Sequence, residues 1–313
     1  MIADIGKPPA FLLADKDIPP SPMERDQGAV YQWYSPDSEA RNRKDPHPSF
    51  GPTDIEYRFN RHGYRCAEFE EMAQQPEDAV TLACIGSSGL FGTGLPEPFT
   101  LPRLLQAAFQ DYLGRPVQSW NLGLGGSGPG YVTRMLFSVL PVMKPDLVLL
   151  TTHPFNRREF IGETGRIYAV QSYAHWQHFF TDPERRQMQR ACNTISNPYN
   201  HLMQFVTNAK VWESLCDDAE AIWLFMTEGY SEHIEAAYAK MREPKKMVGP
   251  GFFPLTKKHR DDPGTGLARD MLHPGIRPMH EIVDTLMSAY KAVYANRLDA
   301  LKRTPRELST NER

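Results

Sequence analysis

The chain lacks an excess of charge of one sign and any long apolar run. Its 35 Lys and Arg residues nearly balance 38 Asp and Glu residues, which leaves a formal net charge of −3 at pH 7. This balance gives no electrostatic reason to expect nucleic acid or an anionic membrane as a partner. Apolar runs such as Leu147 to Leu150 are far shorter than the roughly 20 residues that a membrane-spanning helix needs. The sequence therefore predicts no nucleic-acid partner and no membrane span.

Paired cysteines and a recognisable targeting segment are also missing. The four cysteines, Cys66, Cys84, Cys192 and Cys216, form no Cys-x-x-Cys pair, which disfavours a zinc knuckle and a disulfide framework. The first residues show no basic stretch followed by an apolar run, as a secretory signal would. We therefore expect a cytoplasmic protein, with Cys84, inside an apolar run, as a small core residue.

The organisation of the chain changes near residue 79. Residues 1–78 are polar and rich in proline, and we expect them to pack as an extension on the core; residues 301–313 form a charged tail. Residues 79–300 alternate β-favouring runs with helical patterns, except at 157–216, which we predict to be a helical insertion. Strands are predicted at 79–85, 117–122, 146–152 and 219–226, and helices at 100–113, 131–143, 231–242 and 278–294. This alternation implies a parallel sheet covered by helices on both faces.

Polar or glycine-rich segments follow three of the predicted strands, and another precedes the last helix. They are Gly86-Ser-Ser-Gly, Asn121-Leu-Gly-Leu-Gly-Gly-Ser-Gly, His153-Pro-Phe-Asn156 and Asp270-Met-Leu-His273-Pro. Ligands of parallel sheets bind at the carboxyl ends of the strands, so we expect these segments to meet there. Together they offer a serine hydroxyl, backbone N–H groups, an amide, a histidine and a carboxylate. These are the groups that acyl transfer through a serine nucleophile requires.

The four segments, in this order and spacing, resemble the SGNH (GDSL-type) hydrolase family. The family's Gly-Asp-Ser block falls on residues 86–88, and its Asp-x-x-His-Pro block falls on residues 270–274. The resemblance therefore implies a catalytic triad of Ser88, His273 and Asp270. It covers roughly residues 54–290, with no counterpart for the insertion. The fold it implies is a three-layer α/β/α sandwich with a central parallel five-stranded sheet in flavodoxin-like order.

The other two blocks imply an oxyanion hole. The family's second-block glycine falls on Gly126 and its third-block asparagine on Asn156, and the N–H of Ser88 would be the third donor. The chain departs from the family at two positions. Ser87 stands where the first block has aspartate, which leaves Ser87 as an alternative nucleophile. Arg157 replaces the aspartate that usually follows the third-block asparagine.

The resemblance predicts a serine hydrolase that cleaves an ester, or a thioester, of a small-molecule, carbohydrate or lipid acyl substrate through an acyl-serine intermediate. An acyltransferase that passes the acyl group to an alcohol or amine would use the same triad. A non-catalytic binding protein with a degenerate site is a second alternative, supported by the loss of the first-block aspartate. The sequence does not indicate an oligomeric state.

No cofactor or metal is predicted. Gly123, Gly125 and Gly128 fit the G-x-G-x-x-G pattern of dinucleotide sites, but they follow the second strand rather than the first. The acidic residue at the required distance, Asp146, stands at the start of the next strand rather than at its end. His175 and His178 lack a nearby third ligand, so they do not indicate a metal site.

Overall fold

A computed structural model shows how the chain folds. It describes residues 21, 24–76, 78–153, 157–161, 167–171, 182–229, 246–249 and 251–302. None of the helices in these ranges is long and apolar enough to cross a membrane.

A five-stranded parallel sheet forms the centre of the molecule. Taken in chain order its strands are β3 (Val80–Gly86), β4 (Val117–Gly123), β5 (Leu147–Thr152), β8 (Ile222–Thr227) and β9 (Met247–Val248). In space they lie in the order β4-β3-β5-β8-β9, and every neighbouring pair is parallel. If the five are counted from one to five along the chain, the order is 2-1-3-4-5, which is that of flavodoxin. The predicted fold class is therefore confirmed.

Helices cover both faces of this sheet. The α-helices of the described ranges are α1 (Glu39–Lys44), α2 (Ser88–Phe91), α3 (Leu101–Leu113), α4 (Pro129–Met143), α5 (Pro183–Ile195), α6 (Pro198–Asp218), α7 (Phe252–His259) and α8 (Ile276–Lys302). Successive strand residues point to opposite faces, so Leu149 packs in the core under α3 and α8 while Val148 packs in the core under α4 and α6. Both strand faces are apolar because both are buried.

Two segments differ from the sequence prediction. The region predicted as a helical insertion begins with an antiparallel pair, β6 (Arg157–Ile161) and β7 (Ile167–Gln171), and becomes helical only in α5 and α6. The half-exposed residues of β6 give no apolar alternation, so the strand signal is weak. The final helix continues past residue 294 to Lys302, with non-helical backbone angles at Tyr294. The helix predicted at 231–242 lies outside the described residues.

The segment before the sheet packs against the first strand-to-helix turn. Its short strands β1 (Val30–Tyr31) and β2 (Tyr57–Arg58) pair antiparallel. The rings of Tyr34 and Tyr57 lie 5.1 and 6.0 Å from the ring of Phe91, in α2. These aromatic contacts hold Tyr34 and Tyr57 against the helix that begins at Ser88.

Gly86, the last residue of β3, lies close to Thr151 of β5. A Cβ at this position would lie 2.1 Å from Oγ1 and 2.7 Å from the carbonyl oxygen of Thr151. We expect Gly86→Ala to lower the free energy of unfolding by about 1–3 kcal/mol, because the backbone must shift to admit the methyl group. Urea unfolding measures this difference.

Gly130→Ala is the matched control, because a Cβ at Gly130 has no neighbour within 4 Å. It should change the free energy of unfolding by less than about 1 kcal/mol. Equal losses in the two variants would contradict the steric explanation.

Candidate active site

Ser88 is presented by a sharp turn at the carboxyl end of β3. Ser87 is the N-cap of the four-residue helix α2, and Gly92 ends this helix with a φ of 81°. Ser88 is only 5% exposed, and its carbonyl accepts hydrogen bonds from the N–H groups of Gly92 and Thr93. The turn therefore fixes the backbone on both sides of the serine hydroxyl.

Ser88, His273 and Asp270 form one hydrogen-bonded row. The Nε2 atom of His273 lies 2.8 Å from Oγ of Ser88, and its Nδ1 atom lies 2.5 Å from Oδ2 of Asp270. A carboxylate only accepts hydrogen bonds, so Nδ1 is the protonated nitrogen. In the neutral ring Nε2 is then free to accept the hydroxyl proton of Ser88. The structure thus brings together three residues that the sequence separates by up to 185 positions.

Asp270 also fixes the turn on which His273 stands. Its Oδ1 atom accepts from the N–H groups of Leu272 (3.1 Å) and His273 (3.0 Å). Met271, which directly follows Asp270, has a φ of 57°, an unusual conformation for a residue with a side chain. The Asp-x-x-His spacing therefore serves a tight turn in which the carboxylate bonds both the backbone and the imidazole.

Coupling between the two side chains shifts both pKa values. Burial alone would raise the pKa of Asp270, but the charge and hydrogen bonds of His273, with the Leu272 N–H, hold it below its ordinary value. Burial alone would lower the pKa of His273, but the carboxylate of Asp270 raises it above its ordinary value. The carboxylate thus stays ionised and stabilises an imidazolium at His273.

The N-terminal segment contacts the turn that carries Asp270 and His273. Arg269 has 0% exposure; its Nη2 atom donates to Oδ2 of Asp37 (2.7 Å) and its Nη1 atom to the carbonyl of Pro52 (3.0 Å). Arg41 donates to the carbonyl oxygen of Asp270 at 3.0 Å. The backbone of Arg269 in turn bonds the carbonyl of Gly94, beyond α2. The extension therefore supports the turn that carries Asp270 and His273, and Arg269 joins that turn directly to the residues beyond α2.

Two of the three predicted oxyanion donors lie among the described residues. The N–H of Ser88 is at the first residue of α2. Gly126, with a φ of 81°, lies in the turn after β4, where Leu124 N–H and the Ser127 hydroxyl both donate to the carbonyl of Gly86. This turn therefore packs directly beside the serine turn. Asn156 lies outside the described residues, as do His175 and His178.

A buried carboxylate at the same edge was missed by the sequence analysis. Glu228 follows β8, is 4% exposed, and its Oε1 atom accepts from the hydroxyl of Ser87 and from the N–H of Gly89 (3.1 Å). Nη1 of Arg157 lies 3.8 Å from its Oε2 atom. The sequence did contain a signal for Glu228, because it is the first acidic residue after a predicted strand. In parallel sheets, ligand sites lie at the carboxyl ends of the strands.

His153, directly after β5, is a neutral side chain in this region. Burial and the nearby guanidinium of Arg157 lower its pKa to about 3. Its ring packs edge to face against Phe253, with 5.9 Å between the centroids. His153 therefore contributes an uncharged, partly apolar surface next to Glu228.

The contacts of the glycine-rich turn do not favour a dinucleotide site. A Cβ on Gly128 would lie 2.5 Å from the carbonyl oxygen of Arg157. The missing side chain of Gly128 therefore allows the backbone of β6 to pass close by. The carboxylate of Asp146 accepts from the N–H of Thr81 at 2.8 Å, at the amino ends of the strands. Among the described residues, no group of three His, Cys, Asp or Glu side chains is arranged to hold a metal ion.

We expect Arg269→Met to lower the free energy of unfolding by about 3–5 kcal/mol, because it leaves the carboxylate of Asp37 buried without its cation. The double variant Arg269→Met/Asp37→Asn removes the uncompensated charge. It should therefore lose less than the two single variants lose together. Urea unfolding of the four proteins measures this coupling, and strictly additive losses would contradict it.

Comparisons with known proteins yield structural likenesses only. No protein-family model and no curated protein matches the chain. The psychrotrophic esterase EstA from Pseudoalteromonas sp. has a TM-score of 0.45 at 15% identity, covering 69% of this chain and 99% of that one.

Two further solved structures are similar at the same level. TesA has a TM-score of 0.43 at 16% identity, covering 68% of this chain and 98% of its own. AlinE4, described as an SGNH-hydrolase family esterase, has a TM-score of 0.38 at 16% identity, covering 70% and 99%. Likeness at this level does not assign an activity to the chain.

Proposed function

We propose that this protein is a serine hydrolase of the SGNH type that cleaves a carboxylic ester or thioester. The observation that supports this most directly is the row from Ser88 Oγ to His273 Nε2 (2.8 Å) and from His273 Nδ1 to Asp270 (2.5 Å). This is the arrangement of nucleophile, base and orienting carboxylate that activates a serine.

Acylation begins when Nε2 of His273 accepts the hydroxyl proton of Ser88 and Oγ bonds to the substrate carbonyl carbon. The carbonyl electron pair moves onto oxygen, where the N–H groups of Ser88 and Gly126 and the amide of Asn156 would stabilise the negative charge. Collapse of this intermediate expels the alkoxide or thiolate, which takes the proton from His273. The acyl group remains on Ser88.

Deacylation repeats these steps with water. His273 removes a proton from water, the resulting oxygen attacks the acyl carbon, and the bond to Ser88 breaks with return of the proton to Oγ.

An alcohol or amine in place of water would make the same site an acyltransferase. The ratio of hydrolysis to transfer, measured with p-nitrophenyl acetate and added glycerol, separates the two activities.

Labelling with a fluorophosphonate should give a single adduct on Ser88. Ser88→Ala should abolish the adduct, and His273→Ala should slow its formation by at least about 100-fold, because the hydroxyl loses its base. Intact mass and fragment mapping locate the adduct and give its rate.

Two further variants control the labelling experiment. Ser87→Ala should still be labelled on Ser88, because the Ser87 hydroxyl bonds Glu228 rather than His273. Ser288→Ala, on an exposed part of α8, should behave as the parent protein. An adduct on Ser87 would replace the proposed nucleophile, and a folded protein that does not react would contradict the proposal.

The labelling rate should rise with pH as His273 loses its proton. Since the net effect of Asp270 is to raise the pKa of His273, the midpoint should lie above the ordinary histidine value of about 6.5. Asp270→Asn removes the charge, so the midpoint should move to lower pH while the plateau falls by about 10²–10⁴-fold. Labelling rates measured at about ten pH values between pH 5 and 9 test the midpoint of the parent protein and its change in Asp270→Asn. An unchanged midpoint in Asp270→Asn would contradict the assignment of the orienting carboxylate.

A further inference from the structure

Glu228 is held by its backbone as firmly as by its side chain. Its N–H donates to the carbonyl of Thr152, at the end of β5, and its carbonyl accepts from the N–H of Phe253, in α7. The carboxylate is therefore aimed at the serine turn by the sheet itself.

The carboxylate bonds both residues that flank Ser88. Its Oε1 atom accepts from the hydroxyl of Ser87 and from the N–H of Gly89. The ring of Phe252 closes the space above Gly89, where an added Cβ would lie 2.9 Å from it. A turn bonded at the residues before and after the nucleophile has little freedom to move the hydroxyl.

A buried carboxylate is a costly way to fill this space. An ionised group removed from water is destabilising unless hydrogen bonds and an opposite charge compensate it, and an apolar side chain of similar volume often serves stability as well. Arg157 offers only a distant partner, with 3.8 Å between Nη1 and Oε2. The Glu228 carboxylate lies beside the proposed reacting residues, where its charge can act on them in a way that an apolar side chain cannot.

We propose that Glu228 is a positioning residue of the active site, whose carboxylate fixes the Ser88 turn and places a second negative charge beside the Asp270–His273 pair. Position 87, where the sequence has serine instead of the aspartate of the SGNH family, is thus contacted by the carboxylate of the residue that follows β8. The inference rests on the proposed hydrolase function for its catalytic meaning.

The charged groups around His273 determine the sign of the effect. Asp270 on its own turn and Glu228 after β8 raise the pKa of His273, whereas burial and Arg157 of β6 lower it. Removal of the Glu228 charge should therefore lower this pKa. A residue that only packs would leave it unchanged.

Glu228→Gln tests the charge, because the amide oxygen can still accept from Ser87 and Gly89. We expect the midpoint of the labelling rate to move to lower pH by a few tenths to about 1 pH unit, with a plateau within about 10-fold of the parent protein. Glu228→Ala removes the acceptor as well and should lower the plateau by roughly 10- to 100-fold, because the Gly89 N–H loses its partner. Glu213→Gln is the matched control, a buried glutamate on α6 that bonds Lys210.

The pKa of His273 is measured in parallel by NMR of histidine-labelled parent protein and Glu228→Gln, with His273→Ala identifying its signal. A lower midpoint by both methods in Glu228→Gln, with Glu213→Gln unchanged, supports the proposal. A uniform loss of rate with an unchanged midpoint would overturn it.

Failure of the hydrolase proposal is distinguishable, because the parent protein would then remain unlabelled at every pH. The NMR titration still decides on Glu228 in that case. An unchanged His273 midpoint would overturn its placement beside the pair, and a lowered midpoint would uphold it. If Glu228→Ala fails to fold, Glu228→Gln alone decides.

Discussion

A guanidinium without solvent exposure connects two segments that are far apart in the sequence. Arg269 precedes Asp270 and bonds Asp37, which lies 232 residues away in sequence. Because this buried charge is stable only with its partners, the turn of Asp270 and His273 cannot leave the N-terminal segment without exposing the guanidinium or leaving it unpaired. The part of the extension around Asp37 is therefore a structural part of the candidate site. The Asp37 carboxylate also accepts from Tyr57, whose hydroxyl accepts from Gly94, just beyond the serine turn.

The serine turn is fixed at both ends by buried charge. α2 has only four residues, far fewer than an isolated helix needs to be stable. Arg65, 3% exposed, donates to the carbonyl oxygens of Gly92 and Leu95 after this helix, while Glu228 accepts at its beginning. Charged groups thus replace helix length as the source of rigidity. Rigid support of this kind limits the positions that the Ser88 hydroxyl can adopt.

Most of the sheet could be predicted because its strands have a strong local signal. The four strands predicted at 79–85, 117–122, 146–152 and 219–226 each correspond to a central strand within a few residues. β9 has only two residues, too few for a recognisable pattern. β6 lacks an apolar face, so its pairing with β7 was invisible in the sequence. The parallel order followed from the alternation with helices together with the family resemblance.

The fold class and the residues that follow each strand could be predicted from the sequence together with the family resemblance, because burial patterns and turn residues are local properties. The resemblance also indicated Ser88, Asp270 and His273 as candidates, and for Asp270 and His273 the Asp-x-x-His spacing lies within one turn. The contact of Ser88 Oγ with His273 and the contact of Glu228 with the serine turn are visible only in the folded chain. Neither contact follows from spacing, because hydrogen bonds between distant segments depend on how strands are ordered and helices packed. The buried charges were unpredictable for the same reason. A charged residue is expected at the surface unless a partner that neutralises it is known.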